Sequence, residues 1–355
     1  MKNLKNIGLI IIGLFICSCS STEENVFAEP MYFPPNNSSI WETKTITELG
    51  WNESKVQPLL DYLELKNSKS FIVLHNGKIV LEYYFNGHTE STPWYWASAG
   101  KTLTTAITGI AEEEGYININ NKVSDYIGTS WTNAPLAKEN LITCKHLLTM
   151  TSGLDDTNDQ IDAANLNYLA DAGTRWAYHG VFFKLQDVVE QATSQNWDNY
   201  FNTKLKNPIG MSGIWLASAS SENVYWSSTR SMARFGLLSL NQGNWNGAQI
   251  INSNFFNNST STSQSINLAY GYMWWLNGKT SYHLPQTQFE FNGSIIPSGP
   301  ADMFMALGKN DQKIYVVPSK KLVIIRMGNA ADNETAALSD FDEVLWQKIN
   351  AVINP

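Results

Sequence analysis

The chain of 355 residues contains only three cysteines, Cys17, Cys19 and Cys144. Two of them directly follow an apolar run at residues 7–15, and Lys2 and Lys5 precede that run. A basic start, a short apolar run and small residues at its end are typical of a secretory signal. The run is too short for a membrane-spanning helix. We therefore expect a cleaved signal peptide at 1–18.

The apolar run ends in ICSCSS, which resembles the lipobox of bacterial lipoproteins. Lipidation is expected on Cys19, because modification of Cys17 would place the bulky Ile16 at the cleavage point. A lipid there would tether the protein to a membrane without spanning it. The sequence thus predicts an exported bacterial lipoprotein, in the periplasm or at the cell surface; an ordinary signal with incidental cysteines is the alternative. Cys144 would be the single free cysteine left, which excludes an intramolecular disulfide.

Positive charge is scarce as well. Lysine and arginine number 24 against 32 acidic residues, for a net charge of −8. Without a basic cluster, nucleic acid is not an expected partner. The five histidines show no spacing of the HExxH type, so we expect no metal site. No serine lies in a G-x-S-x-G elbow, which argues against a Ser-His-Asp hydrolase.

Residues 19–46 are polar and contain several prolines, a composition typical of an extended linker. We expect a lipid-anchored linker at 19–46 and one folded domain at 47–355, large enough for a single core or two fused lobes. The domain starts with an amphipathic helix pattern at 52–65. Two apolar runs around Asn76 and Gly77 then predict a β-hairpin, because Asn-Gly is a preferred pair in two-residue turns.

Strand patterns return near the C-terminus. Short apolar runs at 301–311, 312–320 and 321–328 are separated by turn residues, and an amphipathic pattern at 338–353 predicts a last helix. The middle of the chain is mostly helical and loop-rich, and its strongly polar stretch at 253–265 predicts an exposed loop. We therefore expect an α/β (α+β) fold, with an antiparallel β-sheet built from N- and C-terminal strands, flanking helices and an inserted, mainly helical lobe.

One pair of side chains suggests chemistry. Ser98 and Lys101 lie three residues apart at the start of a predicted helix. Positions i and i+3 share a helix face, so the lysine can reach the serine hydroxyl. A serine hydroxyl becomes a nucleophile when a neighbouring base takes its proton, and a desolvated lysine can act as that base. The pair alone leaves a second interpretation open, with Ser98 as a helix cap and Lys101 exposed.

The sequence around this pair resembles the family of class C β-lactamases and penicillin-binding serine hydrolases, with its related esterases and 6-aminohexanoate-oligomer hydrolases. WASAGKTL, with Ser98 and Lys101, resembles the first motif of the family. AGTRWAYHG, at 172–180, resembles the stretch that carries the second motif, a tyrosine followed two residues later by asparagine. MALGKNDQKIYVVPSKKLVIIRMG, at 305–328, resembles the third motif and its strands. The similarity continues in order from about residue 49 to residue 328.

The resemblance implies a role for each matching residue. Ser98 would be the nucleophile that forms an acyl-enzyme, and Lys101 would be its base. Tyr178 would be a second base that relays the proton to the leaving group and later activates water; the alternative is a buried aromatic residue with a satisfied hydroxyl. The implied substrate is a small ester, amide or peptide, and no metal or organic cofactor is needed.

The third motif implies further contacts. Lys309 would lie opposite the nucleophile and bind substrate together with Asn310, although a solvated lysine at a strand end is the alternative. The backbone N–H groups of Ser98 and Gln312 would form the oxyanion hole. His179 could line the pocket next to Tyr178. Three tryptophans that flank the motifs could form an apolar pocket wall, namely Trp94, Trp96 and Trp176.

Two departures from the family pattern bear on substrate choice. Gly180 stands where the second motif has an asparagine that contacts the substrate. Asp311 stands where the third motif often has glycine, and we expect its charge, on the same strand side as Lys309, to disfavour carboxylate-bearing substrates. The sequence thus predicts a membrane-anchored serine hydrolase for a small ester or amide. The alternatives are a β-lactamase or D-Ala-D-Ala carboxypeptidase, and a surface lipoprotein that binds a ligand without turnover.

Overall fold

A computed structural model describes residues 29–158, 160–217, 223–332 and 338–354. The folded unit begins at Met31. The predicted signal peptide and Cys19 lie outside the described residues. Within the described ranges, no helix combines the length and the apolar character that crossing a membrane requires.

The described residues form ten α-helices, whose bounds in chain order are α1 Val56–Leu65, α2 Lys101–Glu113, α3 Ser124–Ile127, α4 Leu136–Glu139, α5 Cys144–Leu148, α6 Lys184–Thr193, α7 Trp197–Phe201, α8 Thr229–Leu240, α9 Ser253–Ser259 and α10 Asp340–Ile353. The strands of the same residues are β1 Ser68–His75, β2 Lys78–Tyr84, β3 Trp94–Tyr95, β4 Ile214–Ala217, β5 Asn223–Ser227, β6 Asn244–Trp245, β7 Ala248–Gln249, β8 Trp275–Leu276, β9 Ser281–His283, β10 Glu290–Asn292, β11 Phe304–Gly308, β12 Gln312–Val317 and β13 Leu322–Gly328.

The main sheet joins both ends of the chain. Its strands in the described residues lie in the order β2-β1-β13-β12-β11-β8, and every pair of neighbours is antiparallel. The predicted hairpin turns at Asn76, with φ 49°, and Gly77, with φ 86°, the left-handed backbone that a type I′ turn requires. These findings confirm the predicted fold class and the predicted sheet.

Helices cover both faces of this sheet. On one face α8 lies so close that a Cβ at Gly236 would come within 2.4 Å of the Val323 side chain. On the other face the Tyr315 ring packs against Trp346 of α10 at 5.5 Å. Because successive side chains of a strand point to opposite faces, Ile314 faces α8 while Tyr315 faces α10. The sheet is therefore buried between helices, and it can hold rigidly whatever lies at its β11 edge.

The helical lobe surrounds α2. Every side chain of that helix from Lys101 to Ala111 is buried, and α2 contacts both α6 and α9. The polar stretch at 253–265 was expected to be a loop, but its first half forms α9. Asn252 caps this helix by accepting hydrogen bonds from the backbone of Asn254 and Phe255, and Phe255 is buried. The loop prediction is wrong there because the cap and the buried phenylalanine outweigh the polar composition.

The N-terminal boundary of the folded unit also differs from the prediction. Trp41 is only 7% exposed, and its indole N–H donates to the Gly77 carbonyl at 2.7 Å. Thr43 forms a β-bridge with Ile79. The expected linker, placed at 19–46, therefore extends too far along the chain, since the residues from Met31 onward belong to the folded unit.

Candidate active site

Ser98 lies in a short 3-10 turn, Ala97–Gly100, that leads directly into α2. The chain before it is fixed by β5, because the Trp96 N–H donates to the Tyr225 carbonyl at 2.9 Å. Ala97 has φ 47°, a left-handed conformation that costs a non-glycine residue roughly 1–3 kcal/mol. Such strain persists only where the surroundings determine it, and it is typical of functional sites.

Lys101 is the partner of Ser98. Its Nζ lies 2.6 Å from the Ser98 Oγ, and the residue is only 7% exposed. The nitrogen also lies over two aromatic rings, 4.9 Å from the centre of Tyr178 and 4.6 Å from that of Phe182. No carboxylate among the described residues forms an ion pair with it. The alternative with an exposed Lys101 is therefore wrong, and the serine hydroxyl is the hydrogen-bond partner of a buried amine.

Tyr178 is held in an aromatic cluster. Its ring lies 5.8 Å from Trp275, 6.0 Å from Trp176 and 6.2 Å from Tyr270. Burial raises the pKa of the Tyr270 hydroxyl well above its usual value, so this second phenol stays neutral beside Tyr178. The cluster leaves Tyr178 half-buried, with its ring under the nitrogen of Lys101.

His179 follows Tyr178 and precedes a 3-10 turn, Gly180–Phe183, that leads into α6. His179 caps this turn, because its Nδ1 accepts a hydrogen bond from the Val181 N–H at 3.2 Å. Both His179 and Gly180 line the same cavity as Tyr178. Gly180 contributes no side chain. The cavity therefore lacks, at this position, the asparagine amide that the resemblance implied.

A cavity of about 630 Å³ brings the predicted residues together, since Ser98, Lys101, Tyr178 and Lys309 all line it. Its aromatic wall consists of Tyr95, Tyr178, Phe182, Phe183, Trp215 and Trp275. Its described lining contains polar side chains but no acidic one. Of the tryptophans near the motifs, Trp94, Trp96 and Trp176 are absent from the described lining. Trp215 and Trp275, which the sequence analysis did not single out, take that place.

The end of β11 closes the cavity beside the nucleophile. A Cβ at Gly308 would lie 2.4 Å from the Trp96 carbonyl oxygen and 3.0 Å from the Ala99 nitrogen, so only glycine allows the strand this close. Along the edge of β11 that pairs with β8, the Asn277 N–H donates to the Met303 carbonyl at 2.9 Å. Backbone groups alternate in direction along a strand, so Leu307 presents its N–H to that same edge.

The neighbouring strand β8 pairs only with Phe304 and Met305. The Leu307 N–H therefore lies beyond the last ladder pair, and Leu307 lines the cavity. Gln312, predicted as an oxyanion donor, lies on β12 opposite Gly308. By the same alternation its backbone groups face β11 and are not directed at the cavity. Gln312 does not appear among the described lining residues.

The turn that joins β11 to β12 carries the predicted substrate contacts. Lys309 is exposed at the cavity. Asn310 and Asp311 both have φ 60°, a left-handed backbone that glycine adopts most easily. The Asn310 amide does not line the cavity but donates to the Tyr95 hydroxyl at 2.6 Å, and Tyr95 does line it.

Asp311 points away from the cavity. Its carboxylate accepts hydrogen bonds from the Ala331 N–H at 3.0 Å and the Ser339 hydroxyl at 3.2 Å, and it pairs with the Lys313 ammonium at 3.1 Å. The expectation that Asp311 repels carboxylate-bearing substrates beside Lys309 is therefore wrong, because its charge is buried and paired elsewhere.

Among the described residues, no three histidine, cysteine, aspartate or glutamate side chains are grouped so as to bind a metal ion. The chemistry that the site offers is that of a hydroxyl, a buried amine, a phenol and backbone N–H groups.

Comparisons with known proteins bear on the family and the fold. The family model for β-lactamases matches residues 67–345. An uncharacterized protein of Alkalihalophilus pseudofirmus is 27% identical over 318 residues, which cover 79% of this chain and 88% of that protein. The fold is similar to that of a Bacillus anthracis protein assigned as a 6-aminohexanoate-dimer hydrolase, with 20% identity, 90% and 88% of the two chains covered and a TM-score of 0.67.

It is also similar to the fold of EstCE1, a hydrolase with promiscuous acyltransferase activity, with 12% identity, 86% and 99% of the two chains covered and a TM-score of 0.65. At these identities the solved structures show a common fold alone. The match over most of the chain shows the family: the chain belongs to the β-lactamase family and has the fold of hydrolases.

Proposed function

We propose that this protein is a serine hydrolase that forms an acyl-enzyme on Ser98 with a small ester or amide. The observation that carries the proposal is the 2.6 Å contact between the Ser98 hydroxyl and the buried Lys101 nitrogen. A buried lysine whose nearest polar partner is a hydroxyl, in the wall of a cavity, has the arrangement of a nucleophile and its base.

Acylation needs a base and a place for negative charge. The Ser98 oxygen forms a bond to the substrate carbonyl carbon, while the Lys101 amine accepts the hydroxyl proton. The carbonyl oxygen becomes an oxyanion, and we assign its two donors to the backbone N–H groups of Ser98 and Leu307. The first turn of a helix leaves its N–H groups without helical acceptors, and the Leu307 N–H lies beyond the β8 pairing. Leu307 thus takes the role that the sequence analysis gave to Gln312. Two such donors can lower the barrier by several kcal/mol.

Tyr178 completes the proton path. The bond from the carbonyl carbon to the leaving oxygen or nitrogen breaks as that atom receives the serine proton through Lys101 and Tyr178. A water molecule then attacks the acyl-enzyme, its proton returns to the Ser98 oxygen, and the acid leaves. The position of the Lys101 nitrogen, 4.9 Å from the centre of the Tyr178 ring in the wall of the same cavity, supports this role because the two proton carriers lie side by side.

The cavity lining indicates the substrate class. Aromatic and aliphatic side chains favour an apolar acyl or leaving group. Lys309 at the cavity and the lack of an acidic side chain in its described lining favour neutral or anionic substrates over those with an ammonium group. A second candidate follows from Asp311, whose buried, paired carboxylate removes the expected barrier to carboxylates. A β-lactam or a D-Ala-D-Ala peptide therefore belongs in the substrate panel.

The membrane anchor at Cys19 stays a prediction of the sequence. With it, the proposal is a lipid-anchored hydrolase that meets its substrate outside the cytoplasm.

The decisive experiment is covalent labelling. The domain from Met31 onward is treated with a fluorophosphonate, and its intact mass is measured beside Ser98→Ala. The matched control is Ser91→Ala, which removes the hydroxyl of an exposed serine. We expect one adduct per chain in the wild type and in the control, and none in Ser98→Ala.

Hydrolysis of ester, amide and β-lactam panels by the labelling-competent protein then identifies the substrate class. An adduct that persists in Ser98→Ala would contradict the assignment of the nucleophile. A folded wild type without any adduct would favour the interpretation as a ligand-binding protein without turnover.

A further inference from the structure

The turn at 309–311 is held through its backbone. All three of its carbonyl oxygens accept hydrogen bonds from two buried side chains. The Gln312 Nε2 donates to the carbonyls of Lys309 at 3.3 Å and Asn310 at 2.9 Å. The Arg326 Nη1 donates to those of Asn310 at 2.9 Å and Asp311 at 3.1 Å.

These bonds have an unfavourable backbone to stabilise. Asn310 and Asp311 both adopt left-handed backbone conformations, and two consecutive non-glycine residues rarely do so without support. A turn of this kind without bonds to its carbonyls would relax toward other conformations. The two side chains therefore select the conformation of the turn.

The Gln312 amide is itself fixed to the neighbouring strand, β13. Its Nε2 also donates to the Gly328 carbonyl at 2.6 Å, and its Oε1 accepts from the Gly328 N–H at 3.1 Å. Only a side chain with both a donor and an acceptor forms this set of bonds. Gly328 has no room for a side chain, because a Cβ there would lie 2.5 Å from an Arg326 nitrogen. Gln312 thus connects the turn to β13 across the sheet.

Arg326 is tied down as firmly. Its guanidinium is fully buried, and it donates to the carbonyls of Lys66 at 2.7 Å and Asn329 at 2.9 Å and to the Ser68 hydroxyl at 3.0 Å. It joins the turn to β1 and to the end of β13. Loss of Arg326 would leave many buried carbonyls without donors, so Gln312 is the better residue to test.

The turn is the connection between β11 and β12, so its conformation sets where β11 ends. Gly308 lies against the nucleophile turn there, Leu307 presents its N–H to the cavity, and Lys309 reaches the cavity from the turn itself. We propose that Gln312 is a positioning residue: its side-chain amide fixes the 309–311 turn and thereby aligns Leu307 and Lys309 with Ser98. This inference rests on the proposed function. It gives the Gln312 side chain a role that the backbone assignment from the sequence did not contain.

The test replaces the amide by an apolar chain of similar length, Gln312→Met. The matched control is Gln249→Met, because the Gln249 amide also donates to two backbone carbonyls, at 3.0 and 2.6 Å, but outside the cavity. Fluorophosphonate labelling of Ser98 and the kcat and KM of an ester are measured on folded protein, with hydrogen exchange of the backbone at 304–312. We expect kcat to fall about 10–100-fold in Gln312→Met with KM within about threefold, because misplacement of reacting groups by about 1 Å costs this much. Exchange should rise at 304–312, and Gln249→Met should change neither.

Each outcome supports or contradicts the positioning role of Gln312. Unchanged labelling and kcat in folded Gln312→Met would overturn the inference, even if the variant melts at a lower temperature. If the wild type itself shows no adduct, the proposed function fails. The exchange measurement then still decides whether the Gln312 side chain fixes the 309–311 turn. Faster exchange at 304–312 in Gln312→Met alone would uphold the fixing of the turn, and wild-type exchange would overturn it.

Discussion

Among the residues that the structure describes, two lysines are almost completely buried, and their surroundings differ in opposite ways. Lys313, on β12, is fully buried and lies between two carboxylates, Asp342 at 2.7 Å and Asp311 at 3.1 Å. Lys101, on α2, is 7% exposed. Its nitrogen contacts the Ser98 hydroxyl and two aromatic rings, and no carboxylate of the described residues pairs with it.

The difference in pairing indicates a structural role for Lys313 and a chemical role for Lys101. A buried cation costs much free energy unless it is paired, and Lys313 is paired twice. Asp342 also accepts a hydrogen bond from the Tyr315 hydroxyl, so this cluster satisfies itself within the sheet and α10. Lys101 has only a neutral partner, and a buried ionisable group in a cleft without a counter-charge is a typical catalytic arrangement. The fold therefore uses one buried lysine to hold the sheet against α10, while the proposed function gives the other the role of proton acceptor.

The largest expected effect comes from removing the unpaired amine. Lys101→Met should slow fluorophosphonate labelling of Ser98 by about 10²–10⁴-fold, the usual contribution of a positioned base. The free energy of unfolding should stay the same or increase, because an uncompensated buried amine is replaced by an apolar side chain. Labelling rates and urea unfolding of the same preparation measure both. Labelling at the wild-type rate would show that another group activates Ser98.

The same substitution at the paired lysine should give the reverse result. Lys313→Met leaves the carboxylates of Asp311 and Asp342 buried without their cation, which should lower the free energy of unfolding by about 3–5 kcal/mol. The folded fraction should still label at Ser98 within about tenfold of the wild-type rate, because the Lys313 side chain points to the α10 face of the sheet, whereas the nucleophile turn packs against the opposite face at Gly308. A variant as stable as the wild type would contradict the contrast between the two lysines, as would a loss of labelling equal to that of Lys101→Met.

Much of this contrast was accessible from the sequence, because it depends on local patterns. The three-residue spacing of Ser98 and Lys101 on a helix dictates that the two side chains meet. The Asn76-Gly77 pair and the apolar runs near both termini dictate a sheet in which N- and C-terminal strands meet. These features follow from backbone geometry and hydrophobic periodicity, which neighbouring residues determine.

The parts that sequence reasoning missed depend on tertiary neighbours. Asp311 was placed on the substrate side of its strand, yet the left-handed turn directs its carboxylate toward Lys313 and Ser339. Leu307 carries no side-chain signal for its proposed role. That role arises because the pairing of β11 with β8 ends at Met305, two residues before Leu307. Gln312 was considered only for its backbone, whereas its side chain binds the turn. Strand order and strand ends decide all three, and a single sequence does not contain them in any local pattern.

A third lysine gives the smallest effect and sharpens the comparison. Lys309 is exposed at the cavity, so water screens its charge and its interaction with a substrate is weak. Lys309→Ala should leave Ser98 labelling and stability almost unchanged. It should lower kcat/KM for a carboxylate-bearing ester by about three- to tenfold relative to the uncharged analogue.

Lys122→Ala, at an exposed lysine outside the described cavity lining, is the matched control and should change kcat/KM for neither substrate. Equal losses for both substrates would mean that Lys309 acts on the reaction rather than on substrate charge, and the effect should weaken as salt is added. The three substitutions would thus distinguish a paired lysine that stabilises the fold, an unpaired one that accepts the serine proton and an exposed one that favours anionic substrates.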